Sequence, residues 1–247
     1  MESHLKPFVT CRYSGRSGNQ LFQAATLIAH AKRNGAEAIF PDKNKSKYTS
    51  EPTLKLKPSY EGQPIKFTYQ EPKDFTYQPI PYVPDMELIG YFQTEKHFKD
   101  YREDIVKAFN FKTARINCVS VHVRRGDYLR HGTKHPVVTM DYLHEAMGRF
   151  KGWSFLIFSD DEEWCRENIS NRKYHVHYPE KGLSDFETIE MMAGCPCNII
   201  ANSSFSWWGA WLNPCPNKIV IAPKIWFGEG NKHLKTENII PENWITL

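Results

Sequence analysis

Two arginines stand side by side in Val121-His122-Val123-Arg124-Arg125-Gly126-Asp127-Tyr128, directly after a run in which valine alternates with other residues. A guanidinium grips phosphate oxygens through two parallel N–H donors, a contact lysine does not reproduce. Arg124 and Arg125 are therefore candidate ligands for a phosphorylated substrate. Asp127 either holds one of them or acts as a base. The competing reading is an exposed Arg–Asp ion pair at a strand end, worth ~0–1 kcal/mol. A second candidate anion site is Asn202-Ser203-Ser204-Phe205-Ser206. Ser203, Ser204 and Ser206 put hydroxyls beside the unpaired backbone N–H groups of a helix start, which suits phosphate. Capping that helix needs only one of the three.

Two more loops carry weaker signals. In Ser159-Asp160-Asp161-Glu162-Glu163 the carboxylate of Asp160 can accept from both the N1 and N2 donors of guanine. Alternatively Ser159 or Asp160 caps the helix that follows, where acidic residues suit the first turn. Adjacent carboxylates point in different directions, so this is no DxD metal motif. In Gly15-Arg16-Ser17-Gly18-Asn19-Gln20 the glycines let backbone amides approach a phosphate, but the spacing is neither GxGxxG nor a P-loop. A plain tight turn fits it equally. Asn19 and Gln20 can pair with a sugar hydroxyl or a diphosphate.

The elements that must position these loops alternate. Short apolar runs predict strands over 8–11, 36–40, 87–91, 117–123, 154–158, 174–177, 197–201 and 219–222. Helices are expected over 21–33, 94–109 (capped by Thr94), 140–150, 161–168, 185–192 and 206–212. Such alternation implies an α/β fold with parallel sheets and right-handed crossovers, in which ligands bind at the carboxyl ends of strands. All four loops fall there. Residues 43–85 hold seven prolines among lysines and tyrosines and read as irregular chain with at most short strands. A domain boundary is expected near 115, giving an N-terminal domain over 1–115 and a C-terminal one over 116–247.

Composition narrows the function classes. At ~100–200 residues per domain, 247 residues make one large or two small domains. A chain with 40% hydrophobic and 24% charged residues is globular, neither disordered nor fibrous. With 32 Lys+Arg against 28 Asp+Glu the net charge is +4, too mild for a nucleic-acid partner though suited to an anionic substrate. No run approaches the ~18 apolar residues of a transmembrane span, which leaves peripheral membrane contact open. Residues 1–11 hold no apolar signal core, so a cytoplasmic location is expected. The six cysteines (11, 118, 165, 195, 197, 215) show no CxxC or zinc spacing and read as buried free thiols; no metal is expected. Sequons at Asn44, Asn168 and Asn202 read as chance matches. Trp207, Trp208 and Trp211 belong to a core or an interface.

The stretches GRSGNQLFQAA, GYFQTEKHF, VSVHVRRGDY, FSDDEEWC and DFETIEMMAGCPCNIIANSSFSWWGAWLN resemble, in order and spacing, the α-1,2-fucosyltransferases of glycosyltransferase family 11. The resemblance runs from about Thr10 to Trp226. It implies a GT-B fold, in which two Rossmann-like domains face each other across a nucleotide-sugar cleft. It also implies an inverting, metal-independent transfer of L-fucose from GDP-β-L-fucose to a glycan acceptor, with no cofactor. In that scheme Arg124 and Arg125 bind the diphosphate and stabilise departing GDP. His122 touches the nucleotide and Asp160 reads guanine. Ser203, Ser204 and Ser206 hold phosphate or ribose, and Asn19 lies near the fucose. The base is Asp127 or a diphosphate oxygen. Two departures stand out. The family's GGLGNQ turn is Gly15-Arg16-Ser17-Gly18 here, and the chain is short for a GT-B enzyme. The rival readings are a transferase using another nucleotide sugar on the same frame and a glycan- or nucleotide-binding protein with a decayed site; the intact HVRRGDY and SSFS argue against decay.

Overall fold

The computed structural model describes residues 6–41, 56–57, 62–169 and 173–247. The sequon at Asn44 and the prolines Pro52 and Pro58 lie outside them. The chain divides into two compact units, Met1–Phe111 with Glu237–Ile239, and Lys112–Thr236 with Ile240–Leu247.

The first unit is built from β1 (Phe8–Cys11), α1 (Ser17–Arg33), β2 (Glu37–Ala38), β3 (Phe67–Gln70), β4 (Met86–Ile89) and α2 (Arg102–Phe109). Its sheet is wholly parallel, in the order β2-β1-β4-β3. The loops after β1 and after β4 therefore leave the same edge side by side. Helix α1 starts at Ser17 rather than at 21, because Ser17, Gly18 and Gln20 are buried despite their polarity. The single helix expected over 94–109 breaks into two 3₁₀ turns, Glu95–His97 and Lys99–Tyr101, before α2. The break falls at Phe98, whose φ of −143° is not helical and whose ring is fully buried. Burying that ring against Phe22, 5.9 Å away between centroids, overrides the helical spacing. Strand β3 lies inside the Pro-rich segment.

The second unit contains β5 (Val119–Val123), α3 (Met140–Gly148), β6 (Ser154–Ser159), α4 (Glu162–Asn168), β7 (His175–His177), α5 (Asp185–Gly194), β8 (Cys197–Ile199), α6 (Ser204–Leu212), β9 (Val220–Ala222) and β10 (Ile245–Thr246). Its sheet is again all parallel, ordered β10-β9-β8-β5-β6-β7. The chain steps outward from β5 to β6 and β7, then returns to lay β8, β9 and β10 on the other side of β5. That is the doubly wound Rossmann order, and its direction reverses between β5 and β8. Such a switch point opens a crevice at the strand ends, where ligands bind.

Strand β5 is buried on both faces, as parallel strands are. Val119, Val121 and Val123 pack into the main core with Leu143, Met147, Phe155 and Ile157. On the other face Ser120 accepts from Asn198 Nδ2, and Asn213 Nδ2 donates to Asn198 Oδ1, so the buried amides satisfy one another. Trp207, Trp208 and Trp211 are core residues, and the Trp207 ring lies 5.1 Å from Trp208 and 5.4 Å from Trp244. All six cysteines are free and four of them are buried.

Candidate functional site

The carboxyl end of β5 delivers Arg124 and Arg125 to the switch point, and the end of β6 delivers the carboxylates that hold them. Arg124 pairs with Asp127 through Nη2 at 2.5 Å and with Asp160 through Nη1 at 2.9 Å. Arg125 donates from Nε to Asp161 at 2.9 Å, and its backbone N–H donates to Asp160 Oδ1 at 2.8 Å. Its guanidinium carbon lies 3.8 Å from the Trp164 ring centroid, a cation–π contact worth ~0.5–2 kcal/mol. The Arg125 side chain is only 15% exposed, so its ion pair is better shielded than a surface one. Among the described residues no hydrogen-bond or ion-pair partner takes the Nη groups of Arg125, while its Nε is held by Asp161. The adventitious surface pair is thus the wrong description: both arginines are clamped.

Capping turns out to belong to Asp161. Its Oδ1 accepts from the Trp164 N–H at 3.3 Å, and its own N–H donates to Ser159 Oγ. The Arg125 side chain is the main cause holding the Asp161 carboxyl below the usual range. Asp160 is left to the arginines. Gly126 accommodates it: a Cβ on Gly126 would stand 2.3 Å from Asp160 Oδ2.

At the start of α6 the three serines separate. Ser203 is the N-cap, accepting from the Phe205 N–H. Ser206 is buried and its hydroxyl donates weakly to the carbonyls of Ala201 and Ser203, at 3.5 and 3.4 Å. Ser204 stays partly exposed on the first turn, and α6 begins with no acidic residue to repel an anion. His122 is buried, with Phe205 against it at 5.8 Å and Nδ1 sealed without a partner. Burial first, and Arg124 second, push its pKa down to about 3, so the ring is neutral at pH 7.

Sequence reasoning gave no role to Tyr128, Trp164 or Asn202. Tyr128 O–H donates to the Asn202 carbonyl at 3.0 Å, tying the loop after β5 to the loop after β8. Burial raises its pKa to about 12, so it stays a neutral donor, and the Arg124 guanidinium lies over its ring at 5.6 Å. Asn202 Nδ2 donates to the Pro136 and Trp226 carbonyls, which also takes this sequon out of reach of solvent. Both residues stood within quoted motifs, but only the register of β5 against β8 brings them together.

The first unit presents Asn19 at its own carboxyl edge. Gln93 Nε2, from the loop after β4, donates to Asn19 Oδ1 at 2.8 Å. Gln20 Nε2 donates to the Gly15 carbonyl. Among the described residues no group of three or more His, Cys, Asp or Glu is arranged to hold a metal, and no helix is long and apolar enough to cross a membrane.

The site thus combines a Rossmann-ordered sheet, two clamped guanidinium groups at its switch point and a serine-capped helix, groups whose chemistry suits phosphates. The chain belongs to glycosyl transferase family 11, whose profile matches residues 1–247. It is 33% identical to an Escherichia coli alpha-1,2-colitosyltransferase over 66% of this chain and 62% of that protein. It is 38% identical to the O-antigen biosynthesis glycosyltransferase WbnK of Escherichia coli, over 65% of this chain and 60% of that one. Against galactoside alpha-(1,2)-fucosyltransferase 2 of Oryctolagus cuniculus the identity is 27%, over 82% and 66%. The chain thus spans about three fifths of the length of the first two relatives. Among solved structures, NodZ alpha-1,6-fucosyltransferase co-crystallized with GDP superposes with a TM-score of 0.49 at 13% identity, covering 83% of this chain and 92% of that one.

Proposed function

We propose that the chain transfers L-fucose from GDP-β-L-fucose to a glycan hydroxyl with inversion, as a galactoside α-1,2-fucosyltransferase. The observation that carries this is the clamped Arg124–Arg125 pair at the β5/β8 switch point, in a chain whose family relatives are named for α-1,2 transfer. The acceptor oxygen attacks the anomeric carbon from the face opposite GDP. The glycosidic C–O bond breaks, and its electron pair goes to the diphosphate. Arg125 meets the growing charge with its Nη fork and Arg124 with a guanidinium already oriented by two carboxylates. Charge stabilisation by preorganised groups is commonly the largest catalytic term. The same cations supply what a metal would give, so transfer is expected to survive exhaustive EDTA. Ser204 and the first-turn N–H groups of α6 complete the phosphate contacts, and the Asn19 amide binds the fucosyl group.

Asp127 has two roles open to it. Its ion pair with Arg124 favours positioning and leaves the acceptor proton to a diphosphate oxygen; as a base it must first release Arg124. The colitosyltransferase relative favours a second donor, a GDP-linked sugar lacking one hydroxyl of fucose. A product screen tests both: GDP-fucose and GDP-colitose, each with galactoside acceptors, followed by linkage analysis. An α-1,2-fucosylated product is expected. Transfer of colitose alone selects the second donor, and transfer of neither sugar rejects the proposal.

A further inference from the structure

Arg125 is held at three points by one short stretch, the junction of β6 with α4. Strands β5 and β6 stay in register to their last residues, Val123 beside Ser159. Ser159 Oγ donates to the Val123 carbonyl at 2.8 Å and accepts from the Asp161 N–H at 3.0 Å, which ties the start of α4 to the end of β5. Asp160 Oδ1 takes the backbone N–H of Arg125. Asp161 serves two partners with its two oxygens: Oδ1 caps α4 at the Trp164 N–H, and Oδ2 takes Arg125 Nε at 2.9 Å. The turn that Asp161 opens carries the Trp164 indole, which packs against the main core and sets its face 3.8 Å from the Arg125 guanidinium carbon. A hydrogen bond at Nε alone leaves a guanidinium able to swing about that bond. A ring pressed against its face stops the swing and fixes the plane.

We propose that Trp164 is a positioning residue for the nucleotide: its indole fixes the plane of the Arg125 guanidinium, and with it the direction in which the Nη donors meet diphosphate oxygens. This rests on the reading of Arg125 as a diphosphate ligand. A bidentate contact needs two N–H donors and two oxygens near one plane, so a tilted guanidinium keeps one bond of the two. An aliphatic side chain at 164 fills the same space against the core but holds no plane. Arg125 would then have to give up its freedom on binding, and affinity falls by that cost. The indole acts through Arg125 and not on the nucleotide itself.

The test is a double-mutant cycle on GDP affinity, read by calorimetric titration of the full chain: wild type, Trp164→Met, Arg125→Ala and the two together. Methionine keeps apolar bulk against the core and removes the aromatic face. Trp164→Met is expected to weaken GDP binding by about fivefold, and by less than about twofold when Arg125 is already alanine. Trp164→Phe keeps a weaker aromatic face and is expected to stay within about threefold of wild type, that loss also vanishing in Arg125→Ala. The phenylalanine cycle decides the matter if Trp164→Met does not fold. A purely structural role, or a direct contact between indole and nucleotide, lowers affinity by the same factor in both backgrounds. That result overturns the proposal, as does wild-type affinity in Trp164→Met. The reading beneath it fails separately: if Arg125→Ala alone binds GDP as wild type does, Arg125 is no diphosphate ligand. If Arg125→Ala loses affinity and the Trp164 losses simply multiply with it, only the positioning role is lost.

Discussion

The two units present the same structural idea with opposite chemistry. Each has a parallel sheet whose neighbouring strands release loops at one carboxyl edge, β5 with β6 and β8 in the second unit, β1 with β4 in the first. In the second unit that edge is ionic: Arg124 and Arg125 against Asp127, Asp160 and Asp161. In the first it is built of neutral amides, Asn19, Gln20, Gln23 and Gln93, with one buried carboxylate turned toward backbone. Charges recognise a diphosphate, which carries charge itself and gathers more as a glycosidic bond breaks. Amides recognise hydroxyls, which need directed donors and acceptors and no field.

The largest expected effect breaks the ionic edge. Arg125→Ala and Arg124→Ala are each expected to lower transfer by about 10²–10³-fold, equivalent to ~2–4 kcal/mol of barrier. Steady-state rates decide this, and retention of more than about a tenth of the wild-type rate in both variants contradicts the assignment. Asp160→Asn comes next. It sets an NH₂ group against the Arg124 guanidinium and is expected to weaken GDP binding by tenfold or more while the melting temperature barely moves. Titrations with GDP, UDP and ADP sharpen the role. Guanine reading removes the preference for GDP, whereas clamping alone weakens all three equally. The matching control is Asp161→Ala, which removes the real cap and is expected to reduce stability by ~0.5–2 kcal/mol.

Gly126→Ala tests the clamp without touching a charge. The new methyl would stand 2.3 Å from Asp160 Oδ2, so the carboxylate must leave Arg124 or the loop must shift. A loss of about tenfold in kcat/KM is expected, and an unchanged rate shows the clamp to be dispensable. The smallest effect distinguishes the units in acid. His30 and His97 in the first unit, and His122 in the second, have pKa values lowered by burial to about 4, about 4 and about 3. Unfolded, each titrates near 6.5, so the unfolded chain binds more protons below that pH. The histidine contribution is fully present above pH 6.5 and is lost as pH falls toward the folded values. Glu71, raised by burial, acts in the opposite direction. Urea unfolding is expected to show a net loss of stability between pH 7 and pH 5, up to about 2 kcal/mol from each histidine and less whatever Glu71 returns. His30→Gln should flatten that slope, and a slope insensitive to it contradicts the assignment.

Much of the ionic edge was legible in the chain. Val119, Val121 and Val123 alternate strictly, and two arginines at the end of such a strand have few structural uses. The division of labour between Asp160 and Asp161 was not legible. Which of two adjacent carboxylates caps a helix depends on backbone dihedrals, and Asp161, at φ −141°, is the one aimed at the Trp164 N–H. The roles of Ser203 and Ser206 were hidden for the same reason: capping and back-bonding look alike in composition. The amide edge was least legible. Asn19 and Gln93 are separated by 74 residues and meet only because β1 pairs with β4. Strand β10, two exposed residues at a sheet edge, carries no pattern to read.

Calorimetric titration of GDP and GDP-fucose into wild type, Arg125→Ala and Asn19→Ala tests the division between charge and amide most directly. Arg125→Ala is expected to lose affinity for both ligands. Asn19→Ala is expected to bind GDP as wild type does and to lose only the increment contributed by the fucosyl group. Equal binding of GDP by wild type and Arg125→Ala, or loss of GDP itself in Asn19→Ala, would contradict the account.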